Sequence, residues 1–205
     1  PEKRTRYLKA IQIRTGNLVR LVDSLSEYSR LDNGFRYHME EADFRDFLEQ
    51  YLEISRHDAE HNHVDIEFLY GKEKYPVRID REELKRVFDN LFTNTVKYRT
   101  SDRSHVRIAL KRTLTGTDIE LIFQDDGPGV PEESLERIFD SFYRADDSRS
   151  QAEKGSGIGL AVVKEIVLGH GGKVRAENRE GLAVIIHLPL YEENTDGESI
   201  DHRRR

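Results

Sequence analysis

Asn90, Asn94, Lys97 and Tyr98 recur at i, i+4, i+7 and i+8, so on a helix they share one stripe. Leu84, Val87, Phe88 and Leu91 form an apolar stripe beside it. Glu and Lys are better helix formers than Asn, so two amides are an odd choice for a face that only needs solvating. An Asn carbonyl is a hard-oxygen ligand suited to Mg²⁺, which also takes phosphate oxygens and water. Lys97 adds a point charge suited to phosphate. Taken alone, the stripe reads more simply as a solvated helix face.

Three later segments change that balance. Phe123-Gln124-Asp125-Asp126-Gly127-Pro128-Gly129-Val130 runs from a strand into a turn of acids and glycines. Gly127 and Gly129 permit positive φ or a close backbone approach. A buried Asp125 carboxylate is able to accept a hydrogen bond from an exocyclic amine such as adenine N6. Read singly, this is also an ordinary Asp-Gly turn. Gly155-Ser156-Gly157-Ile158-Gly159-Leu160 opens a helix, where free backbone N–H groups form an anion site. It follows no early βαβ unit and lacks a Gly-Lys-Ser/Thr ending, so neither a dinucleotide fingerprint nor a Walker loop fits. Between them lies Ile138-Phe139-Asp140-Ser141-Phe142-Tyr143-Arg144. There Phe139 and Phe142 are expected to anchor one end of a mobile loop, with Arg144 pointing toward phosphate.

The elements that must position these groups follow from periodicity and punctuation. Ile11, Leu18 and Leu25 recur every seven residues of a helix over 4–32, with Leu21 and Tyr28 between them and Leu8 and Val22 widening the stripe. This is a coiled-coil-like seam ending at Asn33-Gly34. Phe35 to Met39 alternates as a short strand. Asp43 caps a helix over 44–57, whose apolar side is Phe44, Phe47, Leu48, Tyr51, Leu52 and Ile54. Strands are expected at Val64–Tyr70, Tyr75–Ile79, Val106–Arg112, Ile119–Phe123, Lys173–Asn178 and Ala183–Leu190. Asp80 caps the helix from Arg81 to about Tyr98. A short helix follows Pro131. Residues 143–156 read as a mobile loop, and a helix over 157–169 ends at Gly169. The predicted fold is α/β (α+β): a two-layer sandwich, with helices covering one face of a mixed sheet. Three parts are expected: a helical arm over 1–34, the main domain over 35–191, and a polar, disordered tail over 192–205.

Composition bounds the rest. The chain has 205 residues, 36% hydrophobic and 35% charged, with a net charge of −6. That balance excludes a broad nucleic-acid footprint, which needs a basic face. With no cysteine there is neither a disulfide framework nor a thiolate metal site. No run of 18 apolar residues occurs and no signal peptide is visible. The chain begins at Pro1 and its only Met is Met39, so it reads as part of something longer.

Together these segments resemble the ATP-binding domain of sensor histidine kinases, within the superfamily shared with DNA gyrase and MutL-type repair proteins. Asn90-Leu-Phe-Thr-Asn94-Thr-Val-Lys97-Tyr98 is similar to that family's asparagine box. Asp125 to Gly129 resembles its first glycine box and Phe139 to Arg144 its phenylalanine box. Gly155 to Leu160, with His170-Gly171-Gly172, resembles its second glycine box. Arg20 to Asp32 resembles the second helix of the dimerisation and phosphotransfer hairpin, so the match covers roughly residues 5–190.

The resemblance implies ATP and Mg²⁺ as ligands, with Asn94 on the metal. Asn90, Lys97 and Tyr98 would contact nucleotide or phosphate. Asp125 would read the adenine amine beside Gly127, Gly129 and Val130. Arg144 would approach the terminal phosphates, and Gly155, Gly157 and Gly159 would let a lid close over them. Tyr143, Ser156, Ile158 and Leu160 complete the implied nucleotide-binding set. Asn90, Lys97 and Arg144 are the catalytic candidates. The implied partners are the hairpin bearing the phosphoacceptor histidine, a response regulator, and a second copy in a full-length homodimer. The implied place is the cytoplasmic side of a membrane-anchored protein.

Two departures stand out. None of the eight histidines sits in a His-Glu-x-Arg/Lys-Thr-Pro-like setting, and His57, His61 and His63 belong to a polar helix end expected to face solvent. The last strand begins Gly181-Leu-Ala-Val, where the family often carries a small hydroxyl residue. Hydrolytic members of the superfamily carry Glu four residues before the metal-binding Asn. Here that position is Asn90, which cannot act as a base. The competing readings are an ATP-hydrolysing clamp, which Asn90 opposes, and a non-catalytic interaction module.

Overall fold

The computed structural model describes residues 35–145 and 156–191, together with Tyr7, Ile11, Thr15, Gly16, Leu18, Val19, Val22, Leu25, Ser26, Tyr28, Ser29 and Arg30. The chain runs through β1 (Glu40–Asp43), α1 (Phe44–His61), β2 (Val64–Tyr70), β3 (Pro76–Ile79), α2 (Arg81–Tyr98), β4 (Ser104–Arg112) and β5 (Asp118–Asp125). Two 3₁₀ turns follow, Glu132–Ser134 and Arg137–Phe139, then α3 (Gly159–Gly169), β6 (Lys173–Asn178) and β7 (Leu182–Pro189). The main sheet has the order β2-β4-β5-β7-β6, and β1 pairs with β3 as a separate ribbon. Only β2–β4 is parallel, because α2 makes the crossover between them.

One face of the sheet is covered. Alternate residues Val106, Ile108 and Leu110, Ile119, Leu121 and Phe123, and Val184, Ile186 and Leu188 turn toward the helices and are buried. They meet Phe44, Phe47, Leu48 and Tyr51 of α1, Leu84, Val87, Phe88 and Leu91 of α2, and Val162, Val163, Ile166 and Val167 of α3 in one continuous core. The other face carries cross-strand ion pairs. Arg107 Nε lies 2.7 Å from Glu67. Glu120 takes Lys111 Nζ at 2.8 Å and His187 Nε2 at 2.9 Å. The hydrogen bond from Lys111, then that from His187, holds the Glu120 carboxyl below its ordinary range. Ile122, Ala183 and Ile185 form a small apolar centre within this polar face.

Caps set the helix starts. Asp43 Oδ1 accepts from Arg45 N at 3.0 Å, and its other oxygen accepts from Tyr75 N at 3.1 Å. Asp80 Oδ1 accepts from Glu83 N at 3.2 Å and Oδ2 from His38 N at 2.9 Å. That second bond explains a correction. Phe35–Met39 is extended but not a strand, since the ladder to β3 begins only at Glu40 and Asp80 takes the His38 amide instead. A second correction concerns α1, which continues to His61. Beyond Tyr51 it carries no buried side chain, so Ile54 stands 75% exposed. His57, His61 and His63 are exposed as expected.

In the N-terminal region the described residues up to Arg30 are helical, and Ile11, Leu18, Val19, Val22 and Leu25 are exposed. Leu8, Leu21 and the Asn33-Gly34 break lie outside the described residues. Tyr28 packs against the domain core rather than joining the seam. The tail from 192 to 205 also lies outside them. Among the described residues no helix is long and apolar enough to cross a membrane.

Candidate functional site

The buried stripe of α2 fixes which face is left for chemistry. With Leu84, Val87, Phe88 and Leu91 in the core, Asn90, Asn94 and Lys97 sit half-buried at its rim. Asn90 Nδ2 donates to Arg86 O at 2.8 Å, which turns Oδ1 away from its own helix. That oxygen meets Gly159, where a Cβ would lie only 2.8 Å from it. The first turn of α3 therefore closes on α2 at a glycine. Asn94 makes no side-chain hydrogen bond among the described residues, leaving its amide available. Lys97 Nζ donates to the Tyr98 hydroxyl at 3.0 Å and lies 4.6 Å from the ring centroid.

Asp125 ends β5 and turns toward the covered side. Its Oδ1 accepts from Gly127 N at 2.9 Å and from Leu182 N at 3.1 Å. Burial pushes its carboxyl above the ordinary value, and these two amides oppose the shift without cancelling it. The fit is tight. A Cβ at Gly181 would lie 2.2 Å from Asp125 O, so β7 approaches only through a glycine. Gly127 faces the Tyr98 carbonyl, 3.9 Å from where its Cβ would be, which joins the end of α2 to the first glycine motif. Gly129 has φ +68°. Asn178 brackets the next residue: Oδ1 accepts from Val130 N at 3.0 Å and Nδ2 donates to Val130 O at 2.7 Å.

The second glycine motif is joined to the phenylalanine segment. Phe142 N donates to Gly157 O at 2.9 Å. Gly157 has φ +71°, and a Cβ there would lie 2.9 Å from Tyr143 O. Tyr143 is held by its hydroxyl, 2.9 Å from Ser134 Oγ, and by the Arg137 guanidinium 4.2 Å from its ring centroid. Ile158 is fully buried and Leu160 packs on the core. Ser156 Oγ accepts from Ile158 N at 3.3 Å. The first capped amide of α3 is that of Val162, bonded to Ile158 O, so the amides of Gly159, Leu160 and Ala161 precede the helical ladder. One expectation is corrected. Phe139 is buried, but Phe142 takes φ +67° to reach Gly157 and its ring is thrown outward, 55% exposed. Arg144 is half-buried, and Gly155 lies outside the described residues, as do 146–154.

The structure thus brings α2, both glycine motifs and the phenylalanine segment around one end of the covered layer. Asn178 escaped the sequence reading, since it has no local signal; Gly181 is legible as the glycine that begins the last strand, but its close approach to Asp125 is not. A separate groove of about 250 Å³ lies on the open face beside Asp65, Glu67, His105, Arg107 and Gln124, sharing only Asp125 and Asp126 with this cluster. Among the described residues no group of three or more His, Asp or Glu is placed to hold a metal. A metal here would share its coordination with ligand oxygens.

Residues 79–192, spanning α2 through β7, match the model of the histidine kinase-, DNA gyrase B- and HSP90-like ATPases. The chain belongs to that family. Within this ATPase family, the sensor histidine kinase WalK of Bacillus subtilis (strain 168) is 32% identical over 196 residues, 93% of this chain and 31% of WalK. The mycobacterial sensor histidine kinase MprB superposes with a TM-score of 0.62 at 27% identity, over 76% of this chain and 99% of that structure. The histidine kinase ThkA, solved in complex with the response regulator protein TrrA, shares the fold with a TM-score of 0.72 at 23% identity. That superposition covers 93% of this chain and 52% of the ThkA chain. The chain spans about a third of the length of the curated relatives it matches first.

Proposed function

We propose that this chain is the ATP-binding catalytic core of a two-component sensor histidine kinase. The reaction is transfer of the ATP γ-phosphoryl group to an imidazole nitrogen of a hairpin histidine. An N–P bond forms as the β–γ bridging P–O bond breaks, and the electron pair leaves on ADP. Asp125 reads the adenine amine, with Gly127, Gly129 and Val130 as the wall around it. Asn90, Lys97 and Tyr98 line the phosphate side. Arg144 faces the terminal phosphates, and Gly155, Gly157 and Gly159 let the lid close over them, with Tyr143, Ser156, Ile158 and Leu160 completing the nucleotide-binding set. Asn94 suits Mg²⁺, since its half-buried amide has no other partner among the described residues. When bound, Mg²⁺ supplies charge neutralisation on the phosphate oxygens. Lys97 and Arg144 add fixed positive charge, which is most of what phosphoryl transfer asks of a protein.

The observation that carries this reading is Asn90 against Gly159. The α2 side chain that meets the second glycine motif is an amide, which cannot take a proton from water. The neighbouring carboxylate, Asp89, is engaged at 2.8 Å by the Tyr51 hydroxyl. Bound ATP is thereby kept for a nucleophile brought by a partner. The hairpin histidine, a response regulator and a homodimer of the full-length protein, anchored at a membrane with this domain on the cytoplasmic side, complete the proposal. Likeness to WalK and MprB supports it.

The test supplies γ-labelled Mg-ATP with and without a hairpin fragment bearing the acceptor histidine. Label should pass to the fragment and not to this chain, and transfer should vanish in Asn94→Ala. Label on the chain's own histidines would show that the acceptor lies within it. Brisk steady-state hydrolysis lost in Asn94→Ala would instead favour the gyrase-like clamp.

A further inference from the structure

The first glycine motif is held from within by Gly127 N donating to Asp125 Oδ1 at 2.9 Å, a bond that does not reach Gly129 or Val130. Gly127 and Gly129 give the loop conformational freedom that would be lost on binding, and neither carries a side chain to restrain it. Two residues of the β6–β7 hairpin supply further restraint. At one end Asp125 Oδ1 accepts from Leu182 N at 3.1 Å. At the other the Asn178 amide satisfies both backbone groups of Val130, as a neighbouring strand would, though the two residues are 48 positions apart. Its Nδ2 also donates to Glu132 Oε1 at 3.0 Å, reaching past the loop into the following turn. Asn178 and Leu182 are themselves cross-strand partners, so both contacts spring from one rung of the sheet.

The contact is shaped as well as bonded. A Cβ at Gly129 would lie 2.6 Å from Asn178 Oδ1, so the amide occupies space that only a glycine vacates. The left-handed φ of +68° at Gly129 turns the Val130 amide and carbonyl toward Asn178. The Asn amide offers a donor and an acceptor side by side in one plane, which matches the N–H and C=O of a single residue.

We propose that Asn178 is a positioning residue for the adenine side of the pocket. It pre-orders the Gly127–Val130 wall without touching the nucleotide, and so sets affinity for the base rather than for the phosphates. This rests on the nucleotide reading of the site. The phosphate side is built from α2 and the start of α3, which Asn178 does not contact. Its loss should therefore divide the two halves of the ligand.

The experiment measures calorimetric affinity for Mg-ADP and for Mg-tripolyphosphate, which has no base, on the full chain and two variants. Asn178→Ala removes all three bonds. Asn178→Asp keeps the size and the acceptor for Val130 N. It removes the donor and turns a carboxylate onto the Val130 carbonyl and Glu132. Both should weaken Mg-ADP roughly tenfold or more, with Asn178→Asp at least as impaired, while tripolyphosphate affinity stays within about twofold. Circular dichroism and thermal melting check that each variant is folded, and the isosteric Asn178→Asp serves if Asn178→Ala is not. Unchanged Mg-ADP binding in the folded variants would overturn the proposal, as would parallel loss of both ligands, which marks a general structural role. Absence of Mg-ADP binding by the unaltered chain would instead overturn the nucleotide reading, and this inference with it.

Discussion

Asp125 is asked to be both a half-buried group and a charged one. Burial raises its carboxyl above the ordinary value of 3.8 even though Gly127 N and Leu182 N donate to it. An acid raised in this way favours folding fully only below its unfolded value, and that contribution is lost as pH rises through the folded value. At neutral pH the fold therefore bears the cost of the charge. Asp125→Asn keeps the carbonyl acceptor for both amides and removes the charge. Its melting temperature at pH 7 should equal or exceed that of the unaltered chain, with the difference shrinking toward pH 4. On the proposed reading of the site, Mg-ADP affinity should fall roughly tenfold or more, because the Asn NH₂ that replaces the second carboxylate oxygen is a donor and cannot accept from the adenine amine. Scanning calorimetry and titration calorimetry read the two effects separately. Asp125 was legible in the sequence because acid and glycines are adjacent where a strand ends. Asn178 and Phe142 were not: one acts on a residue 48 positions away, and the other's direction is set by a left-handed turn that forms only against Gly157.

At the scale of elements, α3 is pinned at its far end by His170. Nδ1 donates to Ile166 O at 2.7 Å, and Nε2 accepts from Asp80 N at 2.9 Å, an assignment that requires the neutral ring. Tyr37 packs edge-on with ring centroids 5.1 Å apart, and burial pushes its hydroxyl up to about 12. Burial also lowers the His170 pKa, against the pull of Ile166 O, Asp80 and Glu83. A base depressed in this way stabilises the fold above its unfolded value of 6.5, and the contribution is lost as pH falls through the folded value. The melting temperature should therefore drop more steeply between pH 7 and 5 in the unaltered chain than in His170→Gln, as a pH series of thermal melts would show. The bounds of α2 could be read directly, since Asp80 and the 3.6-residue period agree. The strand expected at 35–39 could not, because it depended on a partner whose first position was taken by that same Asp80.

Across the whole molecule, the N-terminal helix and the domain meet at Arg30. Its guanidinium donates twice to buried Glu83, at 2.8 and 3.0 Å, and lies 3.8 Å from the Phe35 ring centroid. Tyr37 continues the contact, with its hydroxyl donating to Glu165 O at 3.2 Å. Arg30→Ala leaves Glu83 with Arg86 at 3.9 Å, so stability should fall by about 2 kcal/mol rather than by the full loss of a buried pair. Arg30→Lys should restore only part of it, since a point charge replaces a planar fork; denaturant melts measure both. The heptad of apolar residues was visible in the sequence, whereas the inward turn of Tyr28 and the Arg30–Glu83 pair depended on how the domain folds back.

The strand order has a consequence for length. β4–β5 and β6–β7 are hairpins with short turns, but the seam β5–β7 is closed across residues 126–181, which hold both glycine motifs. The entropy of closing such a loop grows with the logarithm of its length, about 0.6 kcal/mol for each doubling. Residues added or removed between the two anchors thus cost the sheet almost nothing, so this architecture lets the segment between β5 and β7 vary in length while the sheet stays the same.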